Sequence, residues 1–130
     1  MNTSVITPHF GPVYPVLRAY DLDATRRFYV DYLGCVVDWQ DGGGDAPVYL
    51  QVSRGDLVLH LSSHHDDGTP GTAVLIEVDD VERLHHELAR RDYPFLNPAV
   101  EPGPGDGRQL QLIDPASNRL SFYERPRPVA

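Results

Sequence analysis

The chain has 130 residues, 41% of them hydrophobic and 23% charged, with 19 acidic against 11 basic side chains for a formal net charge of -8. That length builds one core and not two, and the balance is that of a water-soluble globular domain with nothing near the roughly 20 apolar residues of a spanning helix. The negative field repels a phosphate backbone, so neither nucleic acid nor a membrane is an expected partner.

Residues 1–12 lack the basic start and apolar centre of a signal peptide. They read as an N-terminal arm, and a cytoplasmic location is expected. Val13 to Tyr20, with Val16, Leu17 and Tyr20, reads as a strand in which Pro15 argues for an edge or an early position. Asp21 and Asp23 offer capping carboxylates, and Leu22, Thr25, Phe28, Tyr29, Tyr32 and Leu33 recur at helical spacing before Gly34 stops the run. Three short strands follow at Cys35–Trp39, Val48–Val52 and Leu57–Ser62, divided by the Gly-rich turn Asp41–Asp45 and the hairpin Arg54-Gly55-Asp56. The single cysteine, Cys35, excludes an intrachain disulfide and sits in an apolar stretch that reads as packing.

After the polar segment Ser63–Thr72 the order begins again. Ala73–Val78 is a strand of aliphatic residues, and Asp79 and Asp80 cap a helix whose inner face is Val81, Leu84 and Leu88. Further strands are expected at Tyr93–Leu96, Arg108–Ile113 and Leu120–Glu124, with Pro98–Gly107 as a long mobile loop and a flexible tail from Arg125. The chain thus reads as one α+β domain over residues 13–124, built from two strand-helix-three-strand units at about 13–62 and 73–124, a repeat of pattern and not of letters.

These residues carry a resemblance. Tyr14-Pro15-Val16-Leu17-Arg18 with Asp21-Leu22, Phe28-Tyr29 and Leu33-Gly34, and the closing Asp114-Pro115 with Asn118-Arg119-Leu120, resemble the two ends of the vicinal oxygen chelate superfamily of glyoxalases, bleomycin-resistance proteins and ring-cleaving dioxygenases. The resemblance implies paired βαβββ modules with cupped mixed sheets, helices outside, and a ligand site in the cups. In the bleomycin-resistance branch it further implies an intertwined homodimer whose pockets are built from both chains. Relatives in that branch often carry Pro-Trp-Gly where this chain has Pro104-Gly105-Asp106-Gly107, and Gly where it has Ser117.

Metal-using members hold an ion with four His or Glu side chains, and the matching positions here are Tyr14, His60, Ala73 and Ser121. Only His60 is a good divalent-metal ligand, so neither a metal nor another cofactor is expected. The alternative, a metal-dependent lyase or dioxygenase, needs His60, Glu77 and His64 to gather around an ion.

Strand alternation sorts the faces. Leu17, Leu50, Leu59, Leu61, Ile76, Leu110, Leu112, Leu120 and Phe122 belong with the helices. The opposite face holds Tyr14, Val16, Arg18, Tyr49, Gln51, Val58, His60, Ser62, Leu75, Glu77, Gln109, Gln111, Ser121 and Tyr123. Its mix of aromatic rings, amides and few charges suits a ligand cavity better than a wet surface. The residues expected to bind ligand are Tyr14, Arg18, Tyr49, Gln51, His60, Ser62, Glu77, Gln109, Gln111, Ser121 and Tyr123, with Arg18 as an anion fork and Glu77 either holding a ligand ammonium or pairing with Arg18. Trp39 joins them if it stands on the rim and not in the core, which parity from Val37 leaves open. The function these features suggest is non-catalytic sequestration of a bulky small molecule such as an antibiotic.

Overall fold

A computed structural model describes residues 6–126. The first five residues of the expected arm and the last four of the expected tail lie outside them. Module one runs β1 (Val16–Arg18), α1 (Leu22–Arg26, continuing as a wider π-type turn over Arg27–Tyr32), β2 (Val36–Gly43), β3 (Ala46–Arg54) and β4 (Leu57–Ser62). Module two runs β5 (Ala73–Glu77), α2 (Val81–Ala89), β6 (Glu101–Pro102), β7 (Arg108–Ile113) and β8 (Arg119–Glu124). Each module folds into a four-stranded mixed sheet with the same wiring, β1-β4-β3-β2 and β5-β8-β7-β6, in which the first strand pairs parallel to the last and the others are antiparallel. The fold is therefore α+β with two βαβββ modules. Among the described residues no helix is long and apolar enough to cross a membrane.

Two expectations need correction. Tyr93–Leu96 is not a strand, and the third strand of module two is the short β6, inside the stretch read as a loop. The apolar letters of that segment serve ring packing instead: Tyr93 stacks on Tyr32 at 4.4 Å and meets Phe95 edge-on at 5.2 Å. Pro102 pairs with Arg108 at the sheet's outer edge, where a residue without an amide hydrogen is tolerated.

The helix caps form as the letters suggest. Asp21 Oδ1 accepts from the Ala24 amide at 2.9 Å, and Asp80 Oδ1 accepts from the Arg83 amide at 3.0 Å. The π-type turn, marked by the Leu33 amide reaching the Phe28 carbonyl at 2.9 Å, closes on Gly34 at φ +81°. A side chain at Gly34 would also crowd the Arg54 and Arg91 guanidinium nitrogens, each 3.1 Å from a Cβ placed there.

Those two arginines join the modules. Arg54 binds both carboxylate oxygens of Glu87 at 2.6 and 2.9 Å and the Leu33 carbonyl at 2.9 Å. Arg91 reaches Glu87 at 2.9 Å and the Tyr32 carbonyl at 2.6 Å, so the open carbonyls of the first helix are capped by guanidinium groups. The bidentate hydrogen bonds from Arg54 hold the Glu87 carboxyl below its ordinary range against an opposing contribution from burial, with the charges of Arg54 and Arg91 adding to the lowering. A carboxyl depressed in the folded state contributes stability that is present above its unfolded pKa and lost as pH falls through the folded value. Glu87→Gln is accordingly expected to flatten the fall in thermal midpoint between about pH 5 and 3. An unchanged acid profile in that variant would show that the cluster adds no pH-linked stability.

One apolar core serves both modules. Leu17, Leu50, Leu59 and Leu61 of the first sheet, Leu110, Leu112, Leu120 and Phe122 of the second, and Phe28, Tyr29, Val81 and Leu88 of the helices form one buried cluster. The alternation therefore assigned the helix-packed faces correctly, and the other faces of both sheets are left to do something else.

Candidate functional site

The free face of the first sheet carries a compact aromatic group. Tyr49 and His60 are neighbours on β3 and β4, where Gln51 pairs with His60 and Tyr49 with Ser62. The Tyr14 ring lies parallel to His60 at 5.4 Å, and the Trp39 ring lies parallel to Tyr49 at 5.8 Å with an interplanar angle of 5°. His60 meets both Trp39 and Tyr49 edge-on at 5.3 and 5.2 Å. Trp39 and Tyr14 remain 44% and 45% exposed, so broad ring surface is open to a ligand.

Trp39 thus stands on the open face and not in the core. The reason is a register shift in β2: Val37 pairs with Val52 on the core side, but Trp39 pairs with Gln51, so an extra residue, Asp38, is accommodated between them. That irregularity moves Trp39 to the opposite face from the one simple alternation assigns.

A hydrogen-bonded chain runs beneath the rings. The Tyr49 hydroxyl contacts His60 Nδ1 at 2.6 Å, His60 Nε2 contacts Gln51 Oε1 at 3.0 Å, and Gln51 Nε2 donates to Asp38 Oδ2 at 2.9 Å. Ser53 donates to the other Asp38 oxygen at 3.0 Å. Partial burial first, then the Asp67 carboxylate, raises the Tyr49 phenol above its ordinary pKa and keeps it a donor. The tautomer satisfying both contacts has His60 accepting at Nδ1 and donating from Nε2. Hydrogen bonds from Gln51 and Ser53 lower the Asp38 carboxyl, which remains an anion at the sheet edge. An ion at His60 would have to displace Tyr49 or Gln51, since both ring nitrogens are engaged.

Other expected site residues fall elsewhere. Arg18 is only 8% exposed and donates to the His65 and Gly68 carbonyls at 3.1 and 3.3 Å, so its fork faces the 63–72 loop and not open space. Ser62 is fully buried and donates to Asp67 Oδ2 at 2.8 Å. Glu77 pairs with Arg125 at 2.8 Å and not with Arg18. On the second sheet Gln111 donates to the largely buried Ser121 hydroxyl at 3.0 Å, Gln109 donates to Glu101 at 3.3 Å, and the Tyr123 hydroxyl donates to the Pro104 carbonyl at 2.7 Å.

The structure therefore brings Tyr14, Trp39, Tyr49, Gln51 and His60 together, and places the second-sheet group apart: among the described residues no hydrogen bond or ring contact joins the two free faces. Asp38 and Ser53 were missed by sequence reasoning, and His64, named there only as a candidate metal ligand, has its ring 6.4 Å from Tyr49. A carboxylate beside the only tryptophan was the available signal. Glu77 and Leu75 line a groove of about 960 Å³ between the 54–58 hairpin and the β5–α2 edge. His60, Glu77 and His64 form no ligand cluster among the described residues.

A family model described as Glyoxalase superfamily protein matches residues 3–128. Among solved structures the chain is similar to a bleomycin-binding protein from bleomycin-producing Streptomyces verticillus, complexed with copper(II)-bleomycin, at 36% identity and TM-score 0.68 over 92% of this chain and 100% of that one. It shares the fold of a bleomycin resistance determinant encoded on transposon Tn5, at 21% identity and TM-score 0.70 over 91% of this chain and 100% of that one. A lactoylglutathione lyase from Agrobacterium tumefaciens has the same fold at 19% identity and TM-score 0.68, covering 91% and 96%. A search of curated proteins finds no match.

Proposed function

The chain belongs to the glyoxalase superfamily, and from that premise we propose that its first-sheet face binds a bulky small molecule with a flat aromatic part, of the bleomycin type or another antibiotic, and sequesters it without chemical change. The observation that carries this reading is the pair of parallel rings, exposed Trp39 and half-buried Tyr49, set against His60. Two rigid ring faces add dispersion and quadrupole contacts to the burial of a flat ligand. The hydrogen bonds between Tyr49, His60, Gln51 and Asp38 hold the Tyr49 and His60 rings in place before the ligand arrives, which lowers the ordering cost of binding. The similarity to a copper(II)-bleomycin-binding protein over that protein's whole length supports the ligand class.

The working unit in this proposal is a cytoplasmic homodimer. Each of the two sheets has one face that does not pack on the core, and in this proposal a second copy sets the first-sheet face of one chain against the second-sheet face of the other. The exposed apolar side chains of Ile6, Phe10, Val13 and Leu75 support such an association. A mass near twice 14.5 kDa in solution is the expected result, and a monomer at micromolar concentration would overturn it.

Trp39 is the only tryptophan, so its fluorescence reports on the site directly. Titration with bleomycin and a panel of flat aromatic antibiotics is expected to show quenching that saturates at one ligand per chain. Tyr49→Ala keeps the reporter and removes one of the paired rings. It is expected to weaken binding about tenfold, near 1.4 kcal/mol. Ligand turnover, or unchanged affinity in Tyr49→Ala, would sink the proposal, and turnover would favour a lyase or dioxygenase.

A further inference from the structure

On the outer surface of α2, away from the rings, we propose a binding site for one divalent transition-metal ion formed by Glu82, His85 and His86. Each of the three offers one ligand atom, and these atoms lie within 4.8 Å of one another. Two imidazoles and a carboxylate are borderline-soft nitrogen and hard oxygen donors, a set that suits Zn²⁺, Ni²⁺ or Cu²⁺ and not Ca²⁺ or Mg²⁺. Three protein donors leave further positions for water, as partial exposure of the cluster requires.

The donors stand on a turn whose orientation is already decided. Val81, Leu84 and Leu88 are buried and fix the helix on the core, which leaves His86 exposed and Glu82 and His85 half-buried. Its first turn is tied by Asp80 at the Arg83 amide and by Glu124 Oε1 at the Val81 amide, 2.9 Å away. The ion would therefore find donors that need only side-chain rotation. The two imidazole centroids are 5.9 Å apart with their planes tilted by 53°, and among the described residues no side-chain hydrogen bond occupies the nitrogens of either ring. Glu82 does have a competitor: Arg108 Nη1 donates to its Oε1 at 3.2 Å. That bond leaves the second carboxylate oxygen for an ion, but places a positive charge beside the site. Arg108 should thus weaken the ion's binding by Coulomb repulsion.

The experiment is Ni²⁺ titration of the untagged full chain by calorimetry, with bound metal counted by elemental analysis after desalting. One ion per chain is expected. His85→Ala and His86→Ala are each expected to weaken binding by at least about tenfold, whereas Arg108→Gln is expected to tighten it. The loop residue His65 belongs to no three-donor group among the described residues and serves as the control, so His65→Ala should bind as the parent does. Helix circular dichroism, unchanged in the α2 variants, separates loss of a ligand from loss of fold. Absence of one bound ion per chain in the parent would overturn the site. Retention of that ion at parental affinity in His85→Ala/His86→Ala, or its loss in the loop variant instead, would do the same. The ring face tested with bleomycin includes none of these residues, so either proposal can fail while the other stands.

Discussion

Asp114→Ala is expected to lose about 3–5 kcal/mol of folding free energy, read as a lower midpoint in urea at unchanged slope. Asp114 is buried and accepts four hydrogen bonds: from the Tyr29 hydroxyl at 2.5 Å, the Ala116 amide at 2.9 Å, the Asn118 amide at 2.8 Å and Asn118 Nδ2 at 2.9 Å. Alanine would leave those donors without the carboxylate while they stay out of water, and the desolvation cost of unpaired groups exceeds the net value of the bonds themselves. Burial first, then Asp114, pushes the Tyr29 phenol well above its ordinary pKa, so it remains a donor with nowhere else to turn.

The consequence reaches beyond one turn. Asn118 Nδ2 also donates to the Arg18 carbonyl at 2.9 Å, and its Oδ1 accepts from the Thr72 amide at 3.2 Å. The turn at 114–118 is thereby fastened to the first helix and first strand of the other module. Tyr29→Phe removes a donor and its need together, so it is expected to cost less than Asp114→Ala. The two changes combined should cost less than their sum. Strict additivity, or a loss below 1 kcal/mol for Asp114→Ala, would show that the network does not couple the modules.

Phe28→Ala is the second large effect, about 3–5 kcal/mol, from lost burial plus the cavity left behind. Phe28 is fully buried and meets Tyr29 edge-on at 4.7 Å and Tyr32 and Tyr93 at 6.0 Å each. Tyr32 and Tyr93 are already stacked on each other, which limits how far they can collapse into the space. Phe28→Leu keeps most of the volume and should cost markedly less. Equal thermal midpoints for the two variants would mean that the ring cluster relaxes freely and that its geometry contributes little.

The element order, both helix caps and the faces of the long strands were legible because they depend on local chemistry and on fixed periods. Leu57–Ser62 and Arg108–Ile113 form with the expected bounds. Asp21 and Asp80 cap as carboxylates before apolar-periodic runs do. The departures share a cause as well. Phe28, Tyr29, Tyr32 and Leu33 fit α-helical spacing, and only the packed structure shows the turn widened to the π form. Tyr93–Leu96 has strand-like letters but takes its place through rings on the first helix. Ser117 sits at φ +69°, a conformation that favours glycine, its amide bonded to the Asp114 carbonyl at 3.0 Å within the turn that Asp114 organises.

For the candidate site, the letters of Tyr14, Tyr49, Gln51 and His60 were enough to place them on one face, because residues two apart in a strand point the same way. They were not enough for Trp39, since a single unpaired residue in β2 inverts its side and no local signal marks where a bulge falls. Nor could they show that Arg18 and Ser62 turn to the 63–72 loop. Periodicity and capping belong to a few neighbouring residues, and so the sequence by itself determined the modules, the core and the aromatic content of the face. Bulges, the partners of long side chains and the meeting of distant strands are settled by competition among contacts far apart in the chain, and only the tertiary structure decided them.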